Sequence, residues 1–489
     1  MKISIKPLLL LALLPVAGCT VNPATGDRDF TAFMSPEDEL RVGAEEHPKI
    51  LKGFGGAYAD PELATYVTNI GRRLAARSEL PDLTFRFTVL NTDDVNAFAL
   101  PGGYVYITRG LLALADNEAE MAGVLAHEIG HVTARHQSQQ MSAAKATNIG
   151  LNVLGALGSI VGVPAGVSSV VSLGAEAALK GYSRSQELEA DTLGVRYLTR
   201  VGYDPDGMTG FFRKLAAHSK LEARQRGRNG VEHSFMSTHP KTEARIVQAI
   251  ELARIKRIAN PIIRRGTYLD KINGLIFGDD PKQGVRKGRE FLHPDLKIAF
   301  SVPPGFVLLN GPKQVTAIGP KGSRIIFDLD KPGDAAAART PERYLTKFWP
   351  HKLALDSVNA IEINGMAAAT GSARYNTGAA AQDLRLVAIQ GARDRIFRLT
   401  FQTPPSETRN LNDELRRTTY SFRRLSDKEA ASIQPLHIRL ARVRPGDTVA
   451  SLAARLPFER FGREWFRVLN KLEPGDKLRP GQRVKLIGP

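Results

Sequence analysis

Cysteine is almost absent from the 489-residue chain: Cys19 is the only one, so no disulfide can staple it from within. Long apolar runs are scarce as well. Leu8 to Leu14 is uninterrupted but falls short of the ~20 residues a membrane span needs. The uncharged stretch between Lys145 and Glu176 is broken by Asn152, Ser159, Pro164 and several glycines. No lysine block stands out either. The formal net charge of +17 is spread along the chain, which argues against a dedicated nucleic-acid groove and for anionic surroundings such as acidic lipids and wall polymers. At this length one core is too few, and about three domains are expected.

The lone cysteine follows a charged start at Lys2 and Lys6, the apolar run, and the small residues Val16-Ala17-Gly18. This arrangement resembles a bacterial lipoprotein signal over residues 1–18, and implies a mature chain beginning at a lipidated Cys19. Thr20, where an aspartate would retain the protein, implies sorting to an outer membrane. Residues 19–45 then read as a tether with turn signals at Asn22-Pro23 and Thr25-Gly26-Asp27, running into a helix start at Ser35-Pro36-Glu37. A second helix is expected over Pro61 to Arg77, where Leu63, Tyr66, Val67, Ile70 and Leu74 make one apolar stripe. Leu83 to Leu90 alternates as a half-buried strand does, and Ala97–Leu100 with Tyr104–Ile107 reads as a hairpin around Pro101-Gly102-Gly103. Asn96, Ala97 and Phe98 mark an edge strand able to pair with a substrate backbone.

Chemistry concentrates in His127-Glu128-Ile129-Gly130-His131, inside a helical run from Asp116 to about Gln139. Two histidines four apart on a helix differ by only about 40° of rotation, so both imidazoles reach one ion while the glutamate between them addresses a water. Met121, Leu125, Ile129 and Val132 take the far side, and continuing the same helix sends His136 opposite His127, excluding it as a ligand. Two histidines need at least one more protein ligand. In Gly181 to Asp191, which opens another helix, Glu187 and Asp191 share a face with Gly194 while Glu189, Arg196 and Arg200 point outward. Glu187 is read as the ligand. Asp191 is read as the carboxylate that orients a histidine or helps protonate the leaving group.

Together with Asn96-Ala97-Phe98, Pro101-Gly102-Gly103 and Asn22-Pro23 to Gly26, these motifs resemble the membrane-associated zinc endopeptidases of the HtpX, BepA and Oma kind, peptidase family M48, over roughly residues 20–258. The resemblance implies a gluzincin fold with one Zn2+ per subunit on His127, His131 and Glu187, and Glu128 as general base. Thr238-His239-Pro240 with Arg245 looks like a further family element. It implies His239 as a regulatory cap on the metal, against a plain helix-cap role at the exposed start of a helix whose Ile246, Ile250 and Leu252 pack inward. Arg245 is a substrate or oxyanion contact in the same reading. Residues 146–175 read as a lid or plug, a membrane-dipping hairpin, or ordinary buried helices.

The architecture expected is therefore α+β and multidomain. A mainly helical zinc-protease domain with a small sheet occupies 46–260, followed by a linker over 261–290, an α+β domain over 291–425 that loosely resembles PsbP-like domains, a linker over 426–437, and a strand-helix-helix-strand module over 438–489. Gly446-Asp447-Thr448, Leu469-Asn470 and Pro480-Gly481-Gln482 make that last module resemble LysM, implying peptidoglycan binding, against a small packing domain. His293 and His351 read as structural. The resulting expectation is a lipid-anchored, periplasm-facing zinc endopeptidase of the bacterial envelope that cuts misfolded or misassembled envelope proteins. Its rivals are a latent-site chaperone or assembly factor that binds such proteins without cutting, and an adaptor linking peptidoglycan to the membrane. No nucleic-acid partner is expected.

Overall fold

In the computed structural model the described residues are 19–159, 181–226, 239, 243–255, 258–349, 353–377, 380–391 and 394–489. The expected signal at 1–18, the end of the uncharged segment, Thr238, Pro240 and His351 lie outside them.

The expected tether is a folded ribbon: β1 (Cys19–Val21) pairs antiparallel with β2 (Arg28–Phe30). Helix α1 (Pro36–Gly53) opens on a capping box in which Ser35 and Asp38 each bond the other's backbone N–H. Helix α2 (Pro61–Ala75) buries the predicted stripe through Leu63, Val67, Ile70 and Leu74. Strands β3 (Arg86–Leu90), β4 (Ala97–Leu100) and β5 (Tyr104–Thr108) form a sheet in the order β3-β5-β4; β3 runs parallel to β5, β4 antiparallel, and β4 is left at an edge.

Among the described residues, six helices follow: α3 (Arg109–Leu114), α4 (Glu118–Thr133), α5 (His136–Ser159), α6 (Arg184–Val201), α7 (Asp206–Arg226) and α8 (Glu243–Ile255). The single helix expected from Asp116 to Gln139 is in fact two. Arg135 takes a left-handed φ of 55° between them, which ends one hydrogen-bonded ladder and starts another. Every residue of α4 is buried. It lies against α6 at two glycines: a Cβ on Gly194 would come 3.3 Å from the His127 Cα, and one on Gly130 3.1 Å from the Ala190 carbonyl oxygen.

Residues 261–290, expected as a linker, are folded. Helix α9 (Arg265–Ile272) buries Tyr268, Leu269 and Ile272 in the same core as α4, and the Tyr268 hydroxyl donates to the Leu112 carbonyl at 2.6 Å. Strands β6 (Ile276–Phe277) and β7 (Val285–Lys287) join sheets with strands that come later in the chain.

The middle part contains β8 (Glu290–His293), β9 (Ile298–Ser301), β10 (Val307–Asn310), β11 (Val315–Ile318), β12 (Arg324–Leu329), α10 (Asp334–Ala338), α11 (Pro341–Lys347), β13 (Ser357–Ile363), β14 (Met366–Thr377), β15 (Ala380–Gln390), β16 (Ile396–Thr403), α12 (Pro405–Ser421) and β17 (Arg423–Arg424). Its main sheet is antiparallel throughout, in the order β10-β11-β12-β16-β15-β14-β13. Phe291 and Phe300 from a smaller sheet meet Phe327 from the larger one, which in turn meets Phe397 beside it. His293 accepts from the Leu296 N–H at 3.3 Å, a local structural contact.

The chain ends with α13 (Asp427–Ser432), β18 (Leu436–Arg442), α14 (Val449–Ala453), α15 (Gly462–Leu469) and β19 (Arg483–Gly488), the last four in the expected strand-helix-helix-strand order with β18 and β19 antiparallel. This module does not hang from a linker. β18 also pairs with β6, and Ile438, Phe466 and Val484 share one apolar cluster with Tyr268 and Leu269. Lys485, fully buried, donates to the carbonyls of Ala113, Leu114 and Ala115 at 2.9, 3.0 and 2.8 Å, which satisfies the open end of α3. Lys214 donates to the Leu469 carbonyl at 2.9 Å, and Lys471 pairs with Glu120 at 2.8 Å.

Candidate metal centre

Two helices and one connecting segment build the site. α4 supplies His127 and His131 one turn apart, the first turn of α6 supplies Glu187 behind a Ser183 cap, and His239 comes from the segment before α8. One ligand atom from each of these four buried residues lies within 4.8 Å of all the others. His127 Nε2 is 3.0 Å from His131 Nε2 and 3.3 Å from His239 Nδ1. Glu187 Oε1 is 2.9 Å from His239 Nδ1 and 3.5 Å from His131 Nε2. Donors held ~2.0–2.1 Å from a tetrahedral ion sit about 3.3 Å apart, so the cluster has the size and the imidazole and carboxylate chemistry that Zn2+ takes.

Glu128 provides a second test of fit. Both of its carboxylate oxygens are buried and make no hydrogen bond to any described residue, with His239 Nε2 3.4 Å from Oε1. Burial pushes its carboxyl above the ordinary range, against the pull of His239 and His127. Such an acid fits a place where a water beside an ion is its partner. Burial also drives His131 well below the ordinary imidazole range, so it is neutral, as a metal-ligating ring must be.

Residues 61–253 match Peptidase family M48. This part of the chain is an M48 peptidase domain. Among its relatives, the beta-barrel assembly-enhancing protease of Escherichia coli (strain K12) is 32% identical over 222 residues, covering 44% of either chain. That of Yersinia pestis is 33% identical over 226 residues, 45% of this chain and 44% of its own. The mitochondrial metalloendopeptidase OMA1 of Schizosaccharomyces pombe is 27% identical over 240 residues, 48% of this chain and 67% of its own. This chain therefore spans less than half the length of the bacterial relatives. A solution structure of cyanobacterial PsbP from Synechocystis covers 29% of this chain and 98% of its own at TM-score 0.22 and 10% identity, too slight a likeness to carry an argument.

Around the M48 cluster, the remaining predicted residues fall into place unevenly. Asp191 Oδ1 lies 2.9 Å from His127 Nδ1, while Arg245 grips the same carboxylate through Nε at 2.7 Å and Nη2 at 2.8 Å. Burial alone would raise the Asp191 carboxyl, but Arg245 and His127 outweigh it and hold it below the ordinary range. These contacts favour the orienting role over proton donation. Arg245 was expected to face substrate. Instead its Nη1 lies 2.5 Å from Glu187 Oε2 and its guanidinium stacks 4.9 Å over Phe212, because two buried carboxylates need a cation between them.

His239, expected at an exposed helix start, is fully buried, drawn in by Glu187 and Glu128. Burial lowers its basicity, yet these two acids raise it above the ordinary value. In α8, Ala249 and Ala253 are buried and Leu252 packs on the core. Neither His136 nor Glu189 points away. The turn at Arg135 brings His136 Nδ1 to 2.8 Å from His131 Nδ1, and Glu189 Oε2 lies 3.3 Å from His136 Nε2. His136 remains outside the ligand set, on the back of a ligand.

Asn96, Ala97 and Phe98 are buried. The Asn96 carbonyl accepts from the Thr108 N–H, so antiparallel alternation turns the backbone of Ala97 and Ala99 to the free edge of β4. Gln137 from α5 donates its amide to the Ala99 carbonyl, covering part of that edge. The sequence reading missed Gln137 and also Tyr182, whose ring stacks on His131 at 3.8 Å and 18°. Only the position of Tyr182 just before the Ser183 cap hinted at it.

Proposed function

We propose that the chain is a zinc-dependent endopeptidase of the bacterial cell envelope that hydrolyses peptide bonds of misfolded or misassembled envelope proteins. In this reading Cys19 carries the lipid that holds it to a membrane facing the periplasm, and residues 438–489 hold peptidoglycan. The supporting observation is the buried, unbonded Glu128 carboxyl beside three imidazoles and the Glu187 carboxylate.

Zn2+ on His127, His131 and Glu187, when bound, supplies Lewis acidity toward a scissile carbonyl and acidifies a water. Glu128 takes up a proton at a carboxylate oxygen and returns it to the leaving nitrogen, a task suited to an acid raised by burial. Asp191 keeps the proton of His127 on Nδ1, turning the Nε2 lone pair toward the ligand cluster. Strand β4 aligns the substrate backbone once Gln137 releases Ala99. The names of the bacterial relatives, proteases that enhance beta-barrel assembly, support envelope proteins as substrates.

A latent state of the same site has its own support: His239 offers a fourth ligand atom within the cluster, which would occupy the position a water needs. In that state the protein binds clients without cutting. Glu128→Gln abolishes casein cleavage while zinc content is kept; full activity in that variant refutes the assignment. His239→Ala raises cleavage if the ring caps the metal, and lowers stability alone if it only packs. Loss of membrane pelleting in Cys19→Ala, and binding of the full chain to purified peptidoglycan, test the two attachment points.

A further inference from the structure

His127 and His131 are each backed by a carboxylate, by different routes. Asp191 reaches His127 directly. For His131 the route is a relay that leaves the M48 domain. Its Nδ1 lies 2.8 Å from His136 Nδ1, His136 Nε2 lies 3.3 Å from Glu189 Oε2, and Asn22 Nδ2 donates to Glu189 Oε1 at 2.9 Å. The same Asn22 amide also bonds Asp29 Oδ2 at 2.9 Å. Asn22 follows β1 and Asp29 sits in β2, so the relay ends in the N-terminal ribbon.

Chemistry fixes its direction. A carboxylate only accepts, so the proton on His136 belongs on Nε2. The neutral ring then accepts at Nδ1, which places the proton of His131 on its own Nδ1 and leaves the His131 Nε2 lone pair facing His127 and Glu187. Any break in the chain frees His131 to take the other tautomer, with N–H toward the ligand cluster.

The ribbon also holds the turn on which the relay depends. On an unbroken helix, residues five apart are rotated by about 140°, which would carry His136 away from His131. Arg135 adopts the left-handed conformation that prevents this, a conformation unfavourable for a side chain with a Cβ. It is paid for by three bonds: Nη1 to Thr20 Oγ1 at 2.9 Å, Nη2 to the Met34 carbonyl at 2.8 Å and Nε to Glu39 Oε1 at 2.7 Å. Two of those three partners, Thr20 in β1 and Met34 just before α1, belong to the ribbon segment.

We propose that the N-terminal ribbon, residues 19–34, is a positioning element of the metal site: through Asn22, Glu189 and His136 it sets the tautomer and ring orientation of His131, and through Arg135 it holds the turn that makes this contact. The inference rests on His131 being a metal ligand. It ties metal affinity to the docking of the segment that follows the proposed anchoring cysteine. His136, Glu189 and Asn22 act through His131, as positioning residues.

The test uses the full chain. Zn2+ affinity is measured by competition with a chromophoric chelator, and the visible spectrum of the Co2+-loaded protein reports ligand geometry. Outer partners of ligating histidines are worth about 10–100-fold in affinity. His136→Ala and Glu189→Gln therefore weaken Zn2+ binding by about that factor and shift the Co2+ bands, and His136→Asn recovers part of the loss. Asn22→Ala weakens binding less, and adds nothing on top of Glu189→Gln because both act on one chain of bonds. Arg374→Ala, in the middle domain, is the unaffected control. Wild-type affinity and unshifted Co2+ bands in folded Glu189→Gln and Asn22→Ala overturn the relay alone. Failure of the wild-type chain to bind Zn2+ overturns the metal reading beneath it.

Discussion

Arg245 shows how much one buried side chain settles. It stands between Asp191 and Glu187, two carboxylates with no exposure at all, and burial of such acids without a cation is strongly unfavourable. Arg245→Ala lowers unfolding stability by about 3–5 kcal/mol in urea denaturation, beyond any loss of activity. Asp191→Asn keeps the shape but not the charge, and weakens Zn2+ affinity by about 10–100-fold. At this scale the sequence was most legible for His127, Glu128 and His131, whose spacing puts both imidazoles on one face of α4, and for Glu187, which shares a face of α6 with Asp191 and Gly194. His136 and Glu189 were misread for one reason. The direction of His136 followed from an unbroken helix, a left-handed arginine leaves no mark in composition or periodicity, and the outward Glu189 is then covered by the redirected His136 and by Asn22.

Among the elements, the approach of α4 to α6 decides whether the ligands meet. Gly194 faces the His127 backbone, and a Cβ there would also come 2.5 Å from the Met208 Cε. Gly194→Val overpacks this contact, costing about 1–3 kcal/mol and lowering metal occupancy, checked by thermal melting and zinc analysis. The glycine was legible as a close-approach residue because it falls on the same face as Glu187 and Asp191. The free edge of β4 was legible too, from the Pro101-Gly102-Gly103 hairpin. Its cover by Gln137 was not, since that contact depends on where α5 starts after the turn.

Across the whole molecule the main surprise is how firmly the C-terminal module is built into the M48 core. Removing residues 438–489 should destabilise the peptidase core, because the cut strips Lys485 from α3 and exposes the apolar cluster around Ile438 and Phe466. Lys485→Met leaves three buried carbonyls without that donor and lowers stability by about 2–3 kcal/mol. Asp116 supplies a pH signature. Burial favours its neutral form, but Lys214, Lys485 and Arg265 outweigh this and hold its carboxyl far below the ordinary value of 3.8. A carboxylate depressed on folding contributes fully at neutral pH and loses that contribution as pH falls below its unfolded value. Melting temperature therefore drops below about pH 4, and less so in Asp116→Asn. The glycine-rich, charged look of residues 274–288 hid this docking, since turns over a shared core and turns in a linker have the same composition.

The central claim is that His127, His131 and Glu187 bind one metal ion between α4 and α6. Zinc analysis of the purified full chain beside Glu187→Ala tests it most directly. The account predicts one zinc per wild-type chain and little or none in the variant. No metal in the wild type, or an undiminished ion in Glu187→Ala, would contradict it.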